Sequence, residues 1–268
     1  MIIDGKKIAD EVIASLEKER ALLPGVVRLG VLMSEGDKAT DSFVRIKEKV
    51  ADRLRVVIIR EMLGEDATTE EALRALERLA SRAGGIIVQL PLPKNIDTQV
   101  VLKAIPKEKD VDFVRPPVGE AIAEVLKRSG LLEENNPDAQ SGPRLKRRGK
   151  AVVVGAGRLV GKPAADVLKE LGADVSVITT EQGSFTELLH ADIVVSGAGS
   201  PGLIQPHMLN PGVELIDAGT REARGRVAGD CDPACAEVAS VFTPVPGGIG
   251  PIAVAMIFKN LFALQHQI

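Results

Sequence analysis

Short apolar runs typical of β-strands alternate with helical patterns along the whole chain. The runs predict strands at residues 26–33, 56–59, 85–89, 151–154, 175–179, 193–196 and 214–217. Helices are predicted at residues 41–54, 69–81, 118–129, 161–171 and 250–265, and Thr68 with Glu71 has the spacing of a capping box before the second of them. Because such alternation is typical of parallel sheets covered by helices, the chain is predicted to be an α/β protein.

Composition restricts the classes of protein to which the chain can belong. Of its 268 residues, 45% are hydrophobic and 26% are charged, which indicates a globular protein long enough for two domains. No apolar run reaches the ~20 residues needed to span a bilayer, and the first residues lack the order of a signal peptide, so we expect a cytoplasmic protein without a membrane partner. A net charge of −3 and only 2% aromatic residues argue against a nucleic-acid partner.

Neither a metal site nor a hydrolytic triad is predicted. Cys231 and Cys235 do not form a CxxC pair and have no nearby histidine, so we expect ordinary thiols. His190, His207 and His266 stand in unrelated contexts, without the pattern of a triad or of a histidine metal motif.

The segment from Thr243 to Pro251 contains three glycines and three prolines in nine residues. Proline fixes φ and removes an amide donor, whereas glycine permits positive φ and lets a ligand approach the main chain. The combination predicts a shaped, semi-rigid loop that binds a ligand. A tight connection between a strand and a helix is the alternative.

A second glycine-rich segment follows the apolar run at residues 151–154. Gly155, Gly157 and Gly161 lead into a helical pattern, so that amide N–H groups and the helix N-terminus would face a pyrophosphate. The spacing is GxGxxxG and differs from the commoner GxGxxG, so a plain strand-to-helix turn is the alternative. Gly197 and Gly219 follow two further predicted strands, at whose carboxyl ends open α/β sheets bind ligands.

Glu181 follows the predicted strand at 175–179 and lies 20 residues beyond Gly161. An acidic side chain there suits a free ribose hydroxyl and repels a 2′-phosphate, which favours NAD. Arg158 or Lys162 would instead receive the phosphate of NADP, and a solvated loop glutamate is a further interpretation. The predicted cofactor is therefore NADP or NAD.

Four features occur in one order along the chain. They are Ser42-Phe-Val-Arg-Ile-Lys47 on a predicted helix, Val88-Gln-Leu-Pro-Leu-Pro93 after a strand, Lys109-Asp-Val-Asp112, and the loop from Thr243 to Pro251. Together they resemble the methylenetetrahydrofolate dehydrogenase/methenyltetrahydrofolate cyclohydrolase family. The similarity covers almost the whole chain, and the two proline-rich segments are its most specific parts.

The resemblance implies oxidation of 5,10-methylenetetrahydrofolate to 5,10-methenyltetrahydrofolate and, in bifunctional members, hydrolysis to 10-formyltetrahydrofolate. This chemistry belongs to one-carbon metabolism and supports purine biosynthesis. The implied partner is a reduced folate, and the implied assembly is a homodimer.

The resemblance also implies roles for individual residues. The lysine of the family's Tyr-x-x-x-Lys motif matches Lys47, the glutamine of the Gln-Leu-Pro-Leu-Pro loop matches Gln89, and the pterin-anchoring aspartate matches Asp112. A partly buried lysine with a lowered pKa can transfer a proton, a glutamine can position it, and a carboxylate can accept paired donors from the aminopyrimidine. The implied substrate-binding residues are Phe43, Pro246, Gly247, Gly248 and Pro251. The expected cofactor-binding residues are Gly155, Gly157, Arg158, Gly161, Glu181, Gly197 and Gly219.

The chain departs from the family pattern at several of these places. Phe43 replaces the tyrosine one helical turn before Lys47, so the aromatic ring remains but the hydroxyl is lost. The segment after Asp112 is shortened and lacks the family's Pro-Cys-Thr-Pro, Gly157 replaces a serine, and no threonine follows Pro251. Hydrolysis requires an activated water, whereas hydride transfer requires mainly alignment, so we expect these losses to weaken hydrolysis more.

The alternation and the resemblance together predict two α/β domains. A three-layer, parallel-sheet N-terminal domain spans residues 1–117 and is completed by 247–268, whose C-terminal helix returns to it. A Rossmann-like dinucleotide-binding domain spans 118–246. Two alternatives to the implied function stay open: another NAD(P)-dependent dehydrogenase on the same scaffold, and a non-catalytic folate- or nucleotide-binding protein.

Overall fold

The computed structural model describes residues 1–36, 38–112, 116–133, 143–147, 149–182, 184–223 and 226–266. The chain forms two compact units, which are named here by their sheets. The three-stranded unit comprises Asp10–Arg115 and Val254–Ile268, and the five-stranded unit comprises Met1–Ala9 and Pro116–Ala253. The finer division into domains at residues 117 and 247 stays a prediction.

The three-stranded unit contains β1 (Arg28–Ser34), α2 (Lys38–Arg53), β2 (Val57–Leu63), α3 (Thr69–Arg82), β3 (Gly85–Val88) and α4 (Thr98–Lys103). The helices α1 (Gly5–Arg20) and α7 (Ile249–Gln265) contribute most of their length to it. Helix α3 begins where the sequence predicts, because the Thr68 side chain accepts from the Glu71 amide while the Glu71 carboxylate accepts from the Thr68 amide.

The sheet of this unit has the strand order β2-β1-β3, and both strand pairs are parallel. Two glycines show which helices cover its faces. A Cβ on Gly30 would lie 3.1 Å from Leu79 of α3, whereas a Cβ on Gly85 would lie 2.7 Å from Leu261 of α7. Helices therefore cover both faces, which confirms the three-layer arrangement and the return of the C-terminal helix.

The five-stranded unit contains α5 (Pro117–Arg128), β4 (Lys150–Val154), α6 (Gly161–Glu170), β5 (Asp174–Ile178), β6 (Ile193–Ser196), β7 (Glu214–Asp217), β8 (Arg221–Ala223), β9 (Arg226–Ala228) and β10 (Val241–Thr243). Its main sheet has the order β10-β7-β6-β4-β5, with all neighbours parallel. The chain passes from β4 to β5, which lies on one side of β4, and then to β6, which lies on the other side of β4. This is the topology of a Rossmann-like domain, with its switch point between β4 and β6.

Every predicted strand and helix is present, with ends that differ by up to four residues, but several elements were not predicted. Helix α1 has charged side chains at half of its 16 positions, which obscures its apolar face. Helix α4 has six residues, and β8, β9 and β10 have three each, too few for a hydrophobic period to be recognised. The polar stretch 133–149, whose composition predicts a surface excursion close to a domain boundary, lies mostly outside the described residues.

Two negative findings apply to the described part of the chain. None of its helices is both long enough and apolar enough to cross a bilayer. Within the same residues, no three His, Cys, Asp or Glu side chains are grouped so that they could hold a metal ion. Cys231 and Cys235 are buried free thiols, and burial raises the pKa of Cys235 to about 11 and that of Cys231 further.

Candidate active site

Lys47 and Gln89 form a pair inside the three-stranded unit. Lys47 lies on α2 and is only 8% exposed, which is unusual for a charged residue. Its Nζ donates a hydrogen bond of 2.9 Å to Oε1 of Gln89. Gln89 directly follows β3, and its main-chain N–H donates to the carbonyl oxygen of Leu32 in β1 at 2.8 Å. The amide side chain is therefore held at the carboxyl end of the sheet.

Asp112 acts electrostatically on this pair. Burial lowers the pKa of Lys47 from its usual value, and the negative charge of Asp112 opposes part of that effect. A larger fraction of Lys47 is therefore neutral near pH 7 than for a surface lysine, so that its nitrogen can accept a proton. Asp112 is half-buried, and its amide N–H donates to Oδ1 of Asp110 at 3.1 Å.

The segment that carries Asp112 is anchored to two helices. Asn260 of α7 is 4% exposed, and its Nδ2 donates to the carbonyl oxygen of Val111 at 3.0 Å. Lys109 donates from Nζ to the carbonyl oxygen of Ala83 at 3.0 Å and to that of Ala80. Sequence patterns do not predict these contacts, because nothing marks Asn260 or Lys109 as an anchor.

The Leu-Pro-Leu-Pro loop after Gln89 is also fixed. Its Leu90–Pro91 peptide bond is cis, and Oγ of Ser34, at the end of β1, donates to the carbonyl oxygen of Pro91 at 2.8 Å. Phe43 lies on α2 one turn before Lys47, but its side chain is outside the described part of the structure.

The loop from Thr243 to Pro251 lies in the five-stranded unit up to the first turn of α7. Its Val245–Pro246 bond is cis, and Gly247 has φ +107°, which favours glycine. The carbonyl oxygen of Gly247 accepts from the Gly5 amide at 2.9 Å. A Cβ on Gly248 would lie 2.6 Å from the carbonyl oxygen of Pro244. The predicted substrate-binding residues Pro246, Gly247 and Gly248 thus form a shaped loop, and Pro251 belongs to the helix that follows it.

The predicted phosphate turn and the segment after β6 pack directly on each other. Gly155 has φ +100°, and a Cβ there would lie 2.8 Å from the carbonyl oxygen of Gly197. A Cβ on Gly161 would collide with the carbonyl oxygen of Gly155, and one on Gly197 with Val160. Only glycine fits at these three positions.

The turn suits a dinucleotide. In the described part of the chain, no atom beyond the two neighbouring residues lies within 4 Å of where a Cβ of Gly157 would stand, so main chain is accessible at the start of the ten-residue helix α6. Open backbone beside a helix N-terminus is the usual cradle for a pyrophosphate. Arg158 is partly buried at this turn. Glu181 is exposed on the short helix Thr180–Gln182 that follows β5.

A pair of buried aspartates was not predicted. Asp217 ends β7 and Asp230 follows β9, and each is 1% exposed. Burial raises the pKa of Asp217 to about 6, and hydrogen bonds from the amides of Cys231 and Asp230 oppose the rise. Gly219 lies against this pair, since a Cβ there would collide with the Asp230 carboxylate. The one indication in the sequence is that each aspartate has a glycine close by.

Comparisons with known proteins find matches over both parts of the chain. Residues 3–112 match the family model of the tetrahydrofolate dehydrogenase/cyclohydrolase catalytic domain, and residues 141–268 match that of its NAD(P)-binding domain. The bifunctional protein FolD of Halothermothrix orenii is 36% identical over 97% of this chain and 95% of its own length.

Solved structures agree with the sequence matches. The bifunctional FolD methylenetetrahydrofolate dehydrogenase/cyclohydrolase of Campylobacter jejuni has a TM-score of 0.89 at 26% identity, covering 100% of this chain and 99% of its own. FolD of Trypanosoma brucei, solved with NADP and an inhibitor, has a TM-score of 0.88 at 30% identity, covering 100% of this chain and 97% of its own.

Proposed function

This chain belongs to the tetrahydrofolate dehydrogenase/cyclohydrolase family, and we propose from that premise the reactions and residues described below. The protein oxidises 5,10-methylenetetrahydrofolate to 5,10-methenyltetrahydrofolate with NAD(P), and it hydrolyses the product to 10-formyltetrahydrofolate. It is an enzyme of one-carbon metabolism. The open alternative of an unrelated dehydrogenase on the same scaffold is not supported, because both family models match this chain.

The observation that carries the proposal is the buried pair of Lys47 and Gln89. A lysine at 8% exposure with a lowered pKa can accept a proton from a water that attacks the methenyl carbon. Gln89 holds the amine in place by accepting its hydrogen bond at 2.9 Å. In the oxidation step Lys47 and Gln89 orient the folate, because removal of a hydride needs alignment more than proton transfer.

Asp112 completes the proposed folate site. Its carboxylate accepts paired hydrogen bonds from the aminopyrimidine edge and influences the charge state of Lys47. Phe43 stacks on the aminobenzoyl ring, and Pro246, Gly247, Gly248 and Pro251 contact substrate. These roles follow the family resemblance. The shaped backbone of the loop from Thr243 to Pro251 also supports the substrate contacts proposed for its own residues.

Bound NAD(P) supplies the nicotinamide ring that accepts the hydride. The glycine turn would hold its pyrophosphate through Gly155, Gly157 and Gly161, while Gly197 and Gly219 admit the cofactor close to the ends of β6 and β7. Arg158 and Glu181 flank the adenosine ribose and decide between NADP and NAD. The open backbone at Gly157 supports this assignment.

Turnover tests the proposal directly. Purified protein is mixed with 5,10-methylenetetrahydrofolate and either NAD or NADP, and absorbance follows the reduced nicotinamide and the methenyl product together. We expect reduction with at least one nucleotide and a loss of about a hundredfold or more in the hydrolysis rate of Lys47→Met. The matched control is Lys49→Met, an exposed lysine on the same helix, which should retain activity.

Two outcomes would contradict the proposal. Folded protein that reduces neither nucleotide would favour the non-catalytic alternative, and unchanged hydrolysis by Lys47→Met would remove that residue from the chemistry. The proposal also includes a homodimer in the cytoplasm, as the sequence patterns and the resemblance suggest. Light scattering coupled to size-exclusion chromatography measures the mass of the assembly and tests the homodimer. Fractionation of cells tests the location in the cytoplasm.

A further inference from the structure

The carboxylate of Asp230 is surrounded by donors from the segment that follows β6. Its Oδ2 accepts hydrogen bonds from Oγ of Ser196 at 2.7 Å, from the amide of Ala198 at 2.7 Å and from the amide of Gly199 at 3.3 Å. Its Oδ1 accepts from the amide of Ser200 at 2.6 Å. Three consecutive amides thus converge on one buried side chain. We refer to residues 197–200 as the β6 loop.

The β6 loop lies at the switch point of the sheet, where open α/β sheets bind their ligands. The Gly197 amide donates to the carbonyl oxygen of Val154 at the end of β4, at 2.8 Å. A Cβ on Gly155 would lie 3.1 Å from Cα of Ala198. The β6 loop and the glycine turn after β4 therefore pack against each other at the carboxyl ends of β6 and β4.

Asp230 is itself held in place through its main chain. Its amide donates to Oδ1 of Asp217 at 3.1 Å, and the amides of Gly219 and Cys231 donate to the same carboxylate at 3.1 and 2.9 Å. The amide of Asp217 donates to Oγ1 of Thr243 in β10 at 2.8 Å. A continuous series of hydrogen bonds thus connects β10 and β7 to the β6 loop. Charge-assisted bonds of this kind are shorter and stronger than neutral ones, and they offset the cost of burying the carboxylate.

We propose that Asp230 is a positioning residue for cofactor binding, which holds the β6 loop in the conformation that accepts the dinucleotide. Gly197 and Gly199 would otherwise give the loop wide conformational freedom. The affinity for the dinucleotide falls in proportion to the fraction of molecules in which the loop has the competent conformation. This inference rests on the proposed function, because it assumes that NAD(P) occupies the switch point.

The test is the Asp230→Asn variant, which keeps the side-chain volume but loses the charge and one acceptor oxygen. We expect the KM and the calorimetric Kd for the preferred nucleotide to rise about 10- to 100-fold, the effect of losing hydrogen bonds to a charged group. The KM for 5,10-methylenetetrahydrofolate should change by less than about threefold, since affinity falls only for the ligand whose site depends on the β6 loop.

Asp232→Asn is the matched control. Asp232 lies two residues on, and its Oδ1 accepts a hydrogen bond from the amide of Ala234 at 2.9 Å. Asparagine caps a helical turn as well as aspartate does, so both KM values should stay at wild-type levels.

Several results would overturn the inference. These are an unchanged nucleotide Kd in folded Asp230→Asn, or equal rises in both KM values. Hydrogen exchange on the wild-type protein decides the matter if the variant does not fold. Slow exchange of the amides of Ala198, Gly199 and Ser200 without nucleotide supports a preformed loop, whereas exchange that slows only after nucleotide is added overturns it. Wild-type protein that binds no nucleotide overturns the proposed function itself, whereas wild-type binding matched by Asp230→Asn overturns only the role of Asp230.

Discussion

Nζ of Lys47 lies 2.9 Å from Oε1 of Gln89, and the lysine that makes this bond is 8% exposed. The two residues are 42 positions apart in the chain. A neutral amide partner fixes the amine without adding a charge that would keep it protonated. The burial and the choice of partner therefore act together to make Lys47 available for proton transfer.

Replacing that partner by a carboxylate should reverse the effect. In Gln89→Glu an adjacent negative charge raises the pKa of Lys47, so that less of the amine is neutral at pH 7. Hydrolysis of 5,10-methenyltetrahydrofolate, measured without nucleotide, should slow by about tenfold for each unit of that rise, and its pH profile should shift upward. The exposed Gln99→Glu on α4 is the control. An unshifted pH profile would show that the charge of Lys47 does not limit hydrolysis.

Restoring the missing hydroxyl should favour hydrolysis over oxidation. Phe43 lies one helical turn before Lys47, so the hydroxyl of Phe43→Tyr would be on the same face of α2. A new hydrogen bond to water or to Lys47 is worth about 1 kcal/mol, or roughly fivefold in the hydrolysis rate. The dehydrogenase rate should change less. Equal changes in both rates, or none, would indicate that the shortened segment after Asp112 limits hydrolysis instead.

Glu181 should select against NADP. Its exposed carboxylate follows β5, where it would repel a 2′-phosphate and accept a hydrogen bond from a ribose hydroxyl. We expect Glu181→Ser to raise the ratio of kcat/KM for NADP to that for NAD by about tenfold. The control is the same substitution, Glu170→Ser, at an exposed glutamate at the end of α6, which should leave the ratio unchanged. An unchanged ratio would indicate that Arg158 or other residues select between NADP and NAD.

Glu214 should make stability depend on pH. Burial, with the nearby charge of Asp192, raises the pKa of Glu214 from 4.5 to about 7, and its Oε2 is buried with no hydrogen-bond partner among the described residues. A raised folded-state pKa contributes stability that is complete below pH 4.5 and is lost as the pH rises through 7. With allowance for the half exposure of the side chain, the loss is about 1 kcal/mol.

Glu214→Gln removes this titration. We therefore measure the Tm of Glu214→Gln minus that of the wild type at each pH. This difference should be about 2–4 °C more positive at pH 8 than at pH 4. Thermal melts at the two pH values measure the difference. The exposed Glu237→Gln should show no such dependence. A Tm difference that is the same at both pH values would contradict the raised pKa.

Local patterns were sufficient for the architecture. The apolar periodicities predict the seven longer strands, and the capping residues Thr68 and Glu71 mark the start of α3 as the structure has it. The spacing of Gly155, Gly157 and Gly161 locates the turn at the start of α6. The exceptions are α1, whose many charged residues obscure its apolar face, and α4 with the three-residue strands, which are too short to carry a period.

What the sequence by itself determined is therefore the α/β class, the order of its elements and the family motifs, because each depends on residues that are neighbours in the chain. Only the tertiary structure decided that Lys47 is buried against Gln89 and that the Asp230 carboxylate accepts hydrogen bonds from three main-chain amides of the β6 loop. These contacts depend on strand order and register, which bring together residues 30 or more positions apart. The free energy of a buried charge is set by the groups that surround it, and no local pattern in the sequence specifies those groups.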